Sequence, residues 1–241
     1  MKLWKTERKN EIFQVLSGRN NCFLIPSEKG NMLIDTGLEF AYSSLRKDIE
    51  HLHLATGKID YLILTHTHFD HCRNARAIQA EYGSQIVVGE KEADFVEEGY
   101  TPIPKGTFTF TKFLVHIGNK LGSGWFSYEP FSADIRVEDH FNLMDGDLKI
   151  DLISTPGHST GSISIIVDDE IALVGDVMLN MFGDAIFPPF ADDIPEMICS
   201  WEKLLNTSCR LFLPGHRKEI SRELLEQEFQ KYARKYHLFE K

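Results

Sequence analysis

Nowhere in this sequence do lysine and arginine gather into a run. The 26 basic residues are outnumbered by 36 acidic ones, for a formal charge of −10. A surface that follows a phosphate backbone needs the opposite balance, so nucleic acid is not an expected partner. Long apolar runs are also lacking. Residues 1–9 are charged and lead into no extended hydrophobic stretch, so neither a signal peptide nor a membrane span is expected, and the expected location is cytoplasmic. The four cysteines, Cys22, Cys72, Cys199 and Cys209, are scattered and never fall at CxxC spacing. That argues against a disulfide frame or a structural zinc knot and for reduced thiols. Cys72 reads as a small buried apolar residue. What is present, 42% hydrophobic residues in a chain of 241, suffices for one domain with a substantial core.

Against that background residues 65–71, Thr-His-Thr-His-Phe-Asp-His, stand out. They pack His66, His68, Asp70 and His71 directly behind the apolar run at 61–64. An apolar run followed by polar residues reads as a buried strand that delivers side chains to a sheet's edge. Neutral imidazole and ionised carboxylate are ligands for zinc and for divalent iron or manganese. If the segment stays extended, His66, His68 and Asp70 face one way, and His71 faces another, where it can serve a second ion.

Elsewhere the pattern alternates strands and helices. Runs at 12–16, 22–25 and 32–34 read as a meander, the third ending in Asp35-Thr36-Gly37. Leu45, Ile49 and Leu52 recur at helical spacing, and on that helix His51 and His53 diverge by roughly 200° onto a solvated flank. Residues 74–82 read as a helix stopped by Gly83, 85–88 as a strand, and the stretch from Glu90 as a short helix. Strands follow at 148–153, 162–167 and 171–174, the second with a wetter face at Ser162 and Ser164. A helix near 196–205, a strand at 210–213 and a helix carrying Leu225, Phe229, Tyr232 and Tyr236 close the chain. From about 98 to 145 the pattern breaks. Tyr100, Phe108, Phe110, Phe113, Trp125, Phe126, Tyr128 and Phe131 crowd a stretch punctuated by Gly and Pro, which reads as an insertion whose apolar surface needs a ligand or a second copy to cover it.

Five strand ends thus present Asp35, the 66–71 cluster, His158, Asp176 and His216. In these motifs the sequence resembles the metallo-β-lactamase superfamily of binuclear metallohydrolases. The matching stretches, in order, are 65–71, 155–162, 175–176 and 214–216, with 35–37 upstream. The resemblance covers essentially the whole chain and implies an α/β fold, a four-layer αββα sandwich of two mixed sheets with helices on both outer faces. It implies one divalent ion on His66, His68 and His158, a second on Asp70, His71 and His216, and Asp176 bridging them. Asp35 would steady a ligand imidazole from behind. Zinc is the first expectation for both ions, manganese or iron the next. Water shared by two dications loses a proton near neutral pH, so a bridging hydroxide would be the nucleophile, with Asp70 orienting it.

The resemblance also narrows the reaction. The family's zinc β-lactamases lack an aspartate at the bridging position, which is Asp176 here. Lactonases of the family carry a tyrosine three positions further on, and this chain has Leu179. The expected activity is cleavage of a carboxylic ester, thioester or lactone on a small molecule with an apolar group, with phosphodiester cleavage as the alternative. A ligand sensor that keeps the metals without turnover is the alternative of another class. Within the insertion, Trp125 and Phe126 are expected to wall the substrate pocket, and a homodimer through the same surface is compatible with it.

Overall fold

In the computed structural model, residues 1–28, 30–54, 57–180 and 185–238 are described. The first half of the chain builds a seven-stranded sheet, with β1 (Lys2–Lys5), β2 (Glu11–Leu16), β3 (Cys22–Ile25), β4 (Met32–Ile34), β5 (Tyr61–Ile63), β6 (Gln85–Gly89) and β7 (Ile135–Val137) lying side by side in chain order. The pairings from β1 to β4 are antiparallel and those from β4 to β7 parallel. The second half builds a six-stranded sheet in the order β13 (Ile220–Ser221), β12 (Leu211–Pro214), β11 (Ile171–Gly175), β10 (Ile163–Val167), β9 (Leu148–Ser154) and β8 (His140–Asp145). Only its β11–β12 pair is parallel.

Successive residues of a strand point to opposite faces, and that alternation sorts the core into three clusters. Phe23, Ile25, Met32, Ile34 and Ile63 turn inward to meet Ile150, Leu152, Ile165, Leu173 and Leu213 of the other sheet. Their neighbours Leu24, Leu33 and Leu62 turn outward, where Leu45 and Ile49 of α1 (Tyr42–His51), Ala75 and Ile78 of α3 (Ala75–Tyr82) and Val96 of α4 (Ala93–Glu98) cover them. On the far side Ala172, Val174 and Phe212 pack under Trp201 and Leu204 of α6 (Ile194–Leu205) and Leu225 and Tyr232 of α7 (Arg222–Lys235). The result is helix, sheet, sheet, helix. Both sheets are covered on both faces, so the wetter face expected at Ser162 and Ser164 does not exist. Ser164 is fully buried and its hydroxyl is satisfied by Thr155 Oγ1 at 2.8 Å.

The stretch from 98 to 145 is more regular than its Gly and Pro content suggests. It contains α5 (Thr109–Leu121), and its last part is β7 and β8, the edge strands of the two sheets. Only what precedes Ile135 is added to the sandwich. Among the described residues no helix is long and apolar enough to cross a membrane, and all four cysteines are free thiols.

Candidate metal centre

Every residue of the expected cluster follows the C-terminal end of a strand: Asp35 after β4, the 65–71 segment after β5, His158 after β9, Asp176 after β11 and His216 after β12. The 65–71 segment is extended only as far as His68, which caps the four-residue helix α2 (Phe69–Cys72) with β-region backbone. Simple alternation therefore fails at Asp70. The turn of helix carries Asp70 and His71 together toward His216, with the His71 ring still 4.0 Å from that of His66, because the period has changed from 2 to 3.6.

The structure brings seven ligand-type residues into overlapping groups. His66, His68 and His158 form one, His66, His71 and Asp176 another, and Asp70, His71 and His216 a third, with the candidate ligand atoms of each within 4.8 Å of one another. Asp176 stands among them, its carboxylate oxygens 3.4 Å from His71 Nε2, 3.2 Å from His216 Nε2 and 3.9 Å from His158 Nε2. Two glycines make this approach possible. A Cβ at Gly215 would lie 2.5 Å from His71 Cε1 and 2.6 Å from Asp176 Oδ1, and one at Gly157, whose φ is +123°, would lie 2.2 Å from Met197 N.

The outward nitrogens are held from behind. Asp35 accepts from His71 Nδ1 at 2.8 Å and uses its oxygens also on Thr65 N and Oγ1, both at 2.8 Å. His158 Nδ1 meets the Phe190 carbonyl at 3.0 Å, and His216 Nδ1 meets the carbonyl of Arg19. Asn20 Nδ2 donates to Asp70 Oδ2 at 3.0 Å. One organising residue gives no signal in the sequence. Glu92, fully buried, accepts from Thr67 N at 2.5 Å, Thr67 Oγ1 at 2.7 Å and Gly161 N at 3.3 Å, and from the Ser159 hydroxyl. It ties the residue between His66 and His68 to the residue after His158. In sequence it is one glutamate among several near the start of α4, and only the fold distinguishes it.

Electrostatics divide the cluster in two. Burial, reinforced by the neighbouring imidazoles, pulls His66 well below the usual histidine range and His68 down to about 3, so both are neutral, the form that ligates. Burial alone would lower His71 and His216 as well, but Asp176, with Asp35 and Asp70, outweighs it at His71, and Asp176 with Asp70 outweighs it at His216. His71 rises well above its usual range and His216 to about 10. Asp70 and Asp176 are held below the carboxylate range against the effect of burial, chiefly by these same two imidazoles. Among the described residues His66 Nε2, His68 Nε2 and Asp176 Oδ1 are buried without a hydrogen-bond partner. A native fold seldom leaves three such atoms unsatisfied within one cluster, since each costs about 1–3 kcal/mol. Divalent cations fit this donor set, satisfying the orphaned atoms and replacing the protons of His71 and His216.

The sequence profile of the metallo-beta-lactamase superfamily matches residues 17–216. The chain belongs to that superfamily. A probable metallo-hydrolase of Methanocaldococcus jannaschii is 28% identical over 162 residues, 66% of this chain and 67% of the relative. A human acyl-coenzyme A thioesterase is 26% identical over 234 residues, 89% of this chain and 79% of the relative. Among solved structures a Cronobacter sakazakii metallo-β-lactamase superimposes with a TM-score of 0.72, covering 98% of this chain and 93% of its own at 17% identity, which shows the shared fold.

The cluster forms the floor of a cleft of about 610 Å³. His68, Asp70, His158, Asp176 and His216 line it, and Phe69, Ile103, Pro104, Phe126, Leu179 and Phe190 supply apolar wall. Phe126 stands there and packs edge-on against Phe69, with ring centroids 5.2 Å apart. Trp125 does not, contrary to the sequence expectation. It ends a tight turn (Ser123–Trp125) that sends consecutive side chains in different directions, and its ring is 72% exposed over a neighbouring groove. His51 and His53 lie on the surface, away from the cluster.

Proposed function

We propose that this protein is a binuclear metal-dependent hydrolase of carboxylic esters, thioesters or lactones bearing a bulky apolar acyl group. His66, His68 and His158 would hold one divalent ion and Asp70, His71 and His216 the other, with Asp176 available to both and zinc the first candidate for each. The observation that carries this reading is the convergence of seven ligand-type side chains, three buried ligand atoms among them without partners, on the floor of an apolar cleft. Divalent ions bound there supply a water-derived nucleophile at neutral pH and a Lewis acid for the acyl oxygen.

The chain's own residues then do the rest. Asp70 lines the cleft, is steadied by Asn20 and is held ionised below the carboxylate range, which suits it to orient the attacking water by accepting a hydrogen bond from it. Ile103, Pro104, Phe126 and Leu179 receive the acyl group and exclude bulk water, strengthening every electrostatic interaction at the reacting carbon. Among the three substrates thioesters come first. The human relative is named an acyl-coenzyme A thioesterase, and Leu179 presents methyl groups to the cleft where the lactonases have a phenol. The test is turnover of a matched panel by zinc-loaded protein: a nitrophenyl ester, a thioester and a lactone of one medium-length acyl chain, and a nitrophenyl phosphodiester. Hydrolysis of the acyl compounds, abolished by chelation, is expected. Cleavage of the phosphodiester alone, or no turnover with full metal occupancy, would overturn the reading.

A further inference from the structure

We propose that Arg19 and Arg217, at the mouth of the cleft, form a binding site for an oxyanion carried by the substrate away from its scissile bond. The proposal rests on the hydrolase reading above and names the substrate class more closely: an acyl compound whose leaving group bears phosphate or carboxylate.

Arg46, Arg73, Arg76, Arg136, Arg210 and Arg222 each lie within ion-pair distance of a glutamate. In a chain of net charge −10 that is the expected fate of a surface arginine. Arg19 and Arg217, both exposed, have no carboxylate within ion-pair distance among the described residues; Arg8 and Arg234 share that lack but line no part of the cleft, and the adjacent Lys218 acts on Glu219. Yet Arg19 and Arg217 line the same cleft, flanking His216. Two unpaired cations beside an apolar cavity repel each other unless an anion joins them.

Backbone geometry holds both in place. The Arg19 carbonyl is fixed by His216 Nδ1, and its guanidinium lies 5.5 Å from the centroid of Phe40, a contact that places it where the cleft meets the neighbouring groove lined by both Arg19 and Phe40. Arg217 has φ +70°, a left-handed conformation that favours glycine or asparagine, and its carbonyl is anchored by Asn21 Nδ2 at 3.0 Å. An arginine at a strained position beside a site, without an internal partner, points to use rather than stability.

Beyond Arg217 the mouth continues into a polar recess of about 290 Å³ that shares Gly18 and Arg217 with the cleft and is lined also by Lys2, Gln14, Asn21 and Lys218. Among the described residues the acid paired into this group is Glu219, on Lys2 at 3.0 Å and within reach of Lys218. The cleft is thus apolar and of acyl dimensions, and the recess next to it is polar and cationic. A thioester whose acyl chain enters the first passes its charged leaving group by Arg19 at the mouth of the cleft and by Arg217 into the second.

The experiment compares three thioesters of one acyl chain: with N-acetylcysteamine, which is neutral, with glutathione, which carries carboxylates, and with coenzyme A, which carries phosphates. The variants are Arg19→Gln, Arg217→Gln and the double variant, with metal content checked in each. The expected result is that kcat/KM for an anionic thioester, divided by that for the neutral one, falls about tenfold per guanidinium removed, mostly through KM. Added salt should lower the same ratio in the parent protein. Which of the two anionic thioesters responds more identifies the oxyanion. An unchanged ratio in the double variant overturns the proposal even if all three substrates turn over. If none turns over, the hydrolase reading fails separately, and the site is judged by calorimetric titration of metal-free protein with coenzyme A and glutathione. Binding weakened about a hundredfold in the double variant supports the oxyanion site, and equal or absent binding overturns it.

Discussion

Asp176 reaches three imidazoles within 4 Å, His158 from one group of the cluster and His71 and His216 from another. Replacing it by Ala should lower metal content by at least one ion per chain and abolish turnover, as should His158→Ala. His51→Ala and His53→Ala, on the surface, should do neither. Elemental analysis and a rate assay on the same preparations decide, and equal losses in both pairs would show that the cluster is not the metal site. The protonation pattern leads to a second expectation. In metal-free protein His71 and His216 carry protons up to high pH, about 10 for His216, because Asp176 and its companion carboxylates outweigh burial. A cation must displace those protons, so metal affinity rises with pH and falls as pH drops, by about a hundredfold per pH unit when both are released. Titration at pH 6.5 and 7.5 against a competing chelator measures the slope, and calorimetry in buffers of different ionisation enthalpy counts the protons. A pH-independent affinity in this range would mean that the ion avoids these two residues.

At the scale of the element, the loops carrying the ligands depend on a residue that is not one. Glu92, from the turn before α4, receives hydrogen bonds from both sides of the His66, His68 and His158 group. Glu92→Ala leaves several buried donors unsatisfied and should cost about 3 kcal/mol, lowering Tm by about 6–12 °C. It should also weaken metal binding by about 10- to 100-fold, as loss of outer support commonly does, whereas a purely structural role would move Tm alone. The same elements show where the sequence could be read and where it could not. Strands and helices with one strong period, such as β5, α3, α6 and α7, were legible, because Leu62 and Ile63 or Ile198, Trp201 and Leu204 bury in the rhythm of their own secondary structure. α5 has the rhythm too, in Phe110, Phe113, Leu114 and Ile117, but its aromatic density masks it, and in the fold that face is exposed instead of buried. Glu92 and the edge strands β1, β7 and β8 carry no comparable signal. What buries a lone glutamate, or gives a short strand a neighbour to pair with, comes from residues distant in the chain. Position within a turn was likewise hidden, which is why Trp125 and Phe126 looked equivalent. Phe126→Ala should raise KM for long-chain acyl substrates about tenfold with little change for acetyl substrates, while Trp125→Ala should leave that ratio unaltered. The reverse result would place the acyl pocket in the neighbouring groove.

For the whole molecule, the decisive fact is that neither sheet owns the site. The seven-stranded sheet supplies Asp35, His66, His68, Asp70 and His71, and the six-stranded sheet supplies His158, Asp176 and His216. The two are otherwise joined by the apolar layer between them. On the proposed binuclear reading, ions held by residues of both sheets would bind the folded state and not the unfolded chain, so each would act as a clasp across one edge of the sandwich. With free metal at a hundred times its dissociation constant, each site contributes about 2.7 kcal/mol, and two contribute about 5. For a chain of this length 1 kcal/mol corresponds to about 2–4 °C, so chelation followed by dialysis should lower Tm by about 10–20 °C and zinc should restore it. Ala in place of Asp176 should remove most of that metal-dependent increment, read as the difference in Tm between loaded and stripped protein of the same variant. Differential scanning calorimetry of stripped, reloaded and variant protein, each with its metal content measured, makes the comparison. Equal melting temperatures for protein with two ions and with none would mean that the ions sit on one sheet and do not bridge. A plateau reached at one equivalent of zinc would mean that the seven residues hold a single ion.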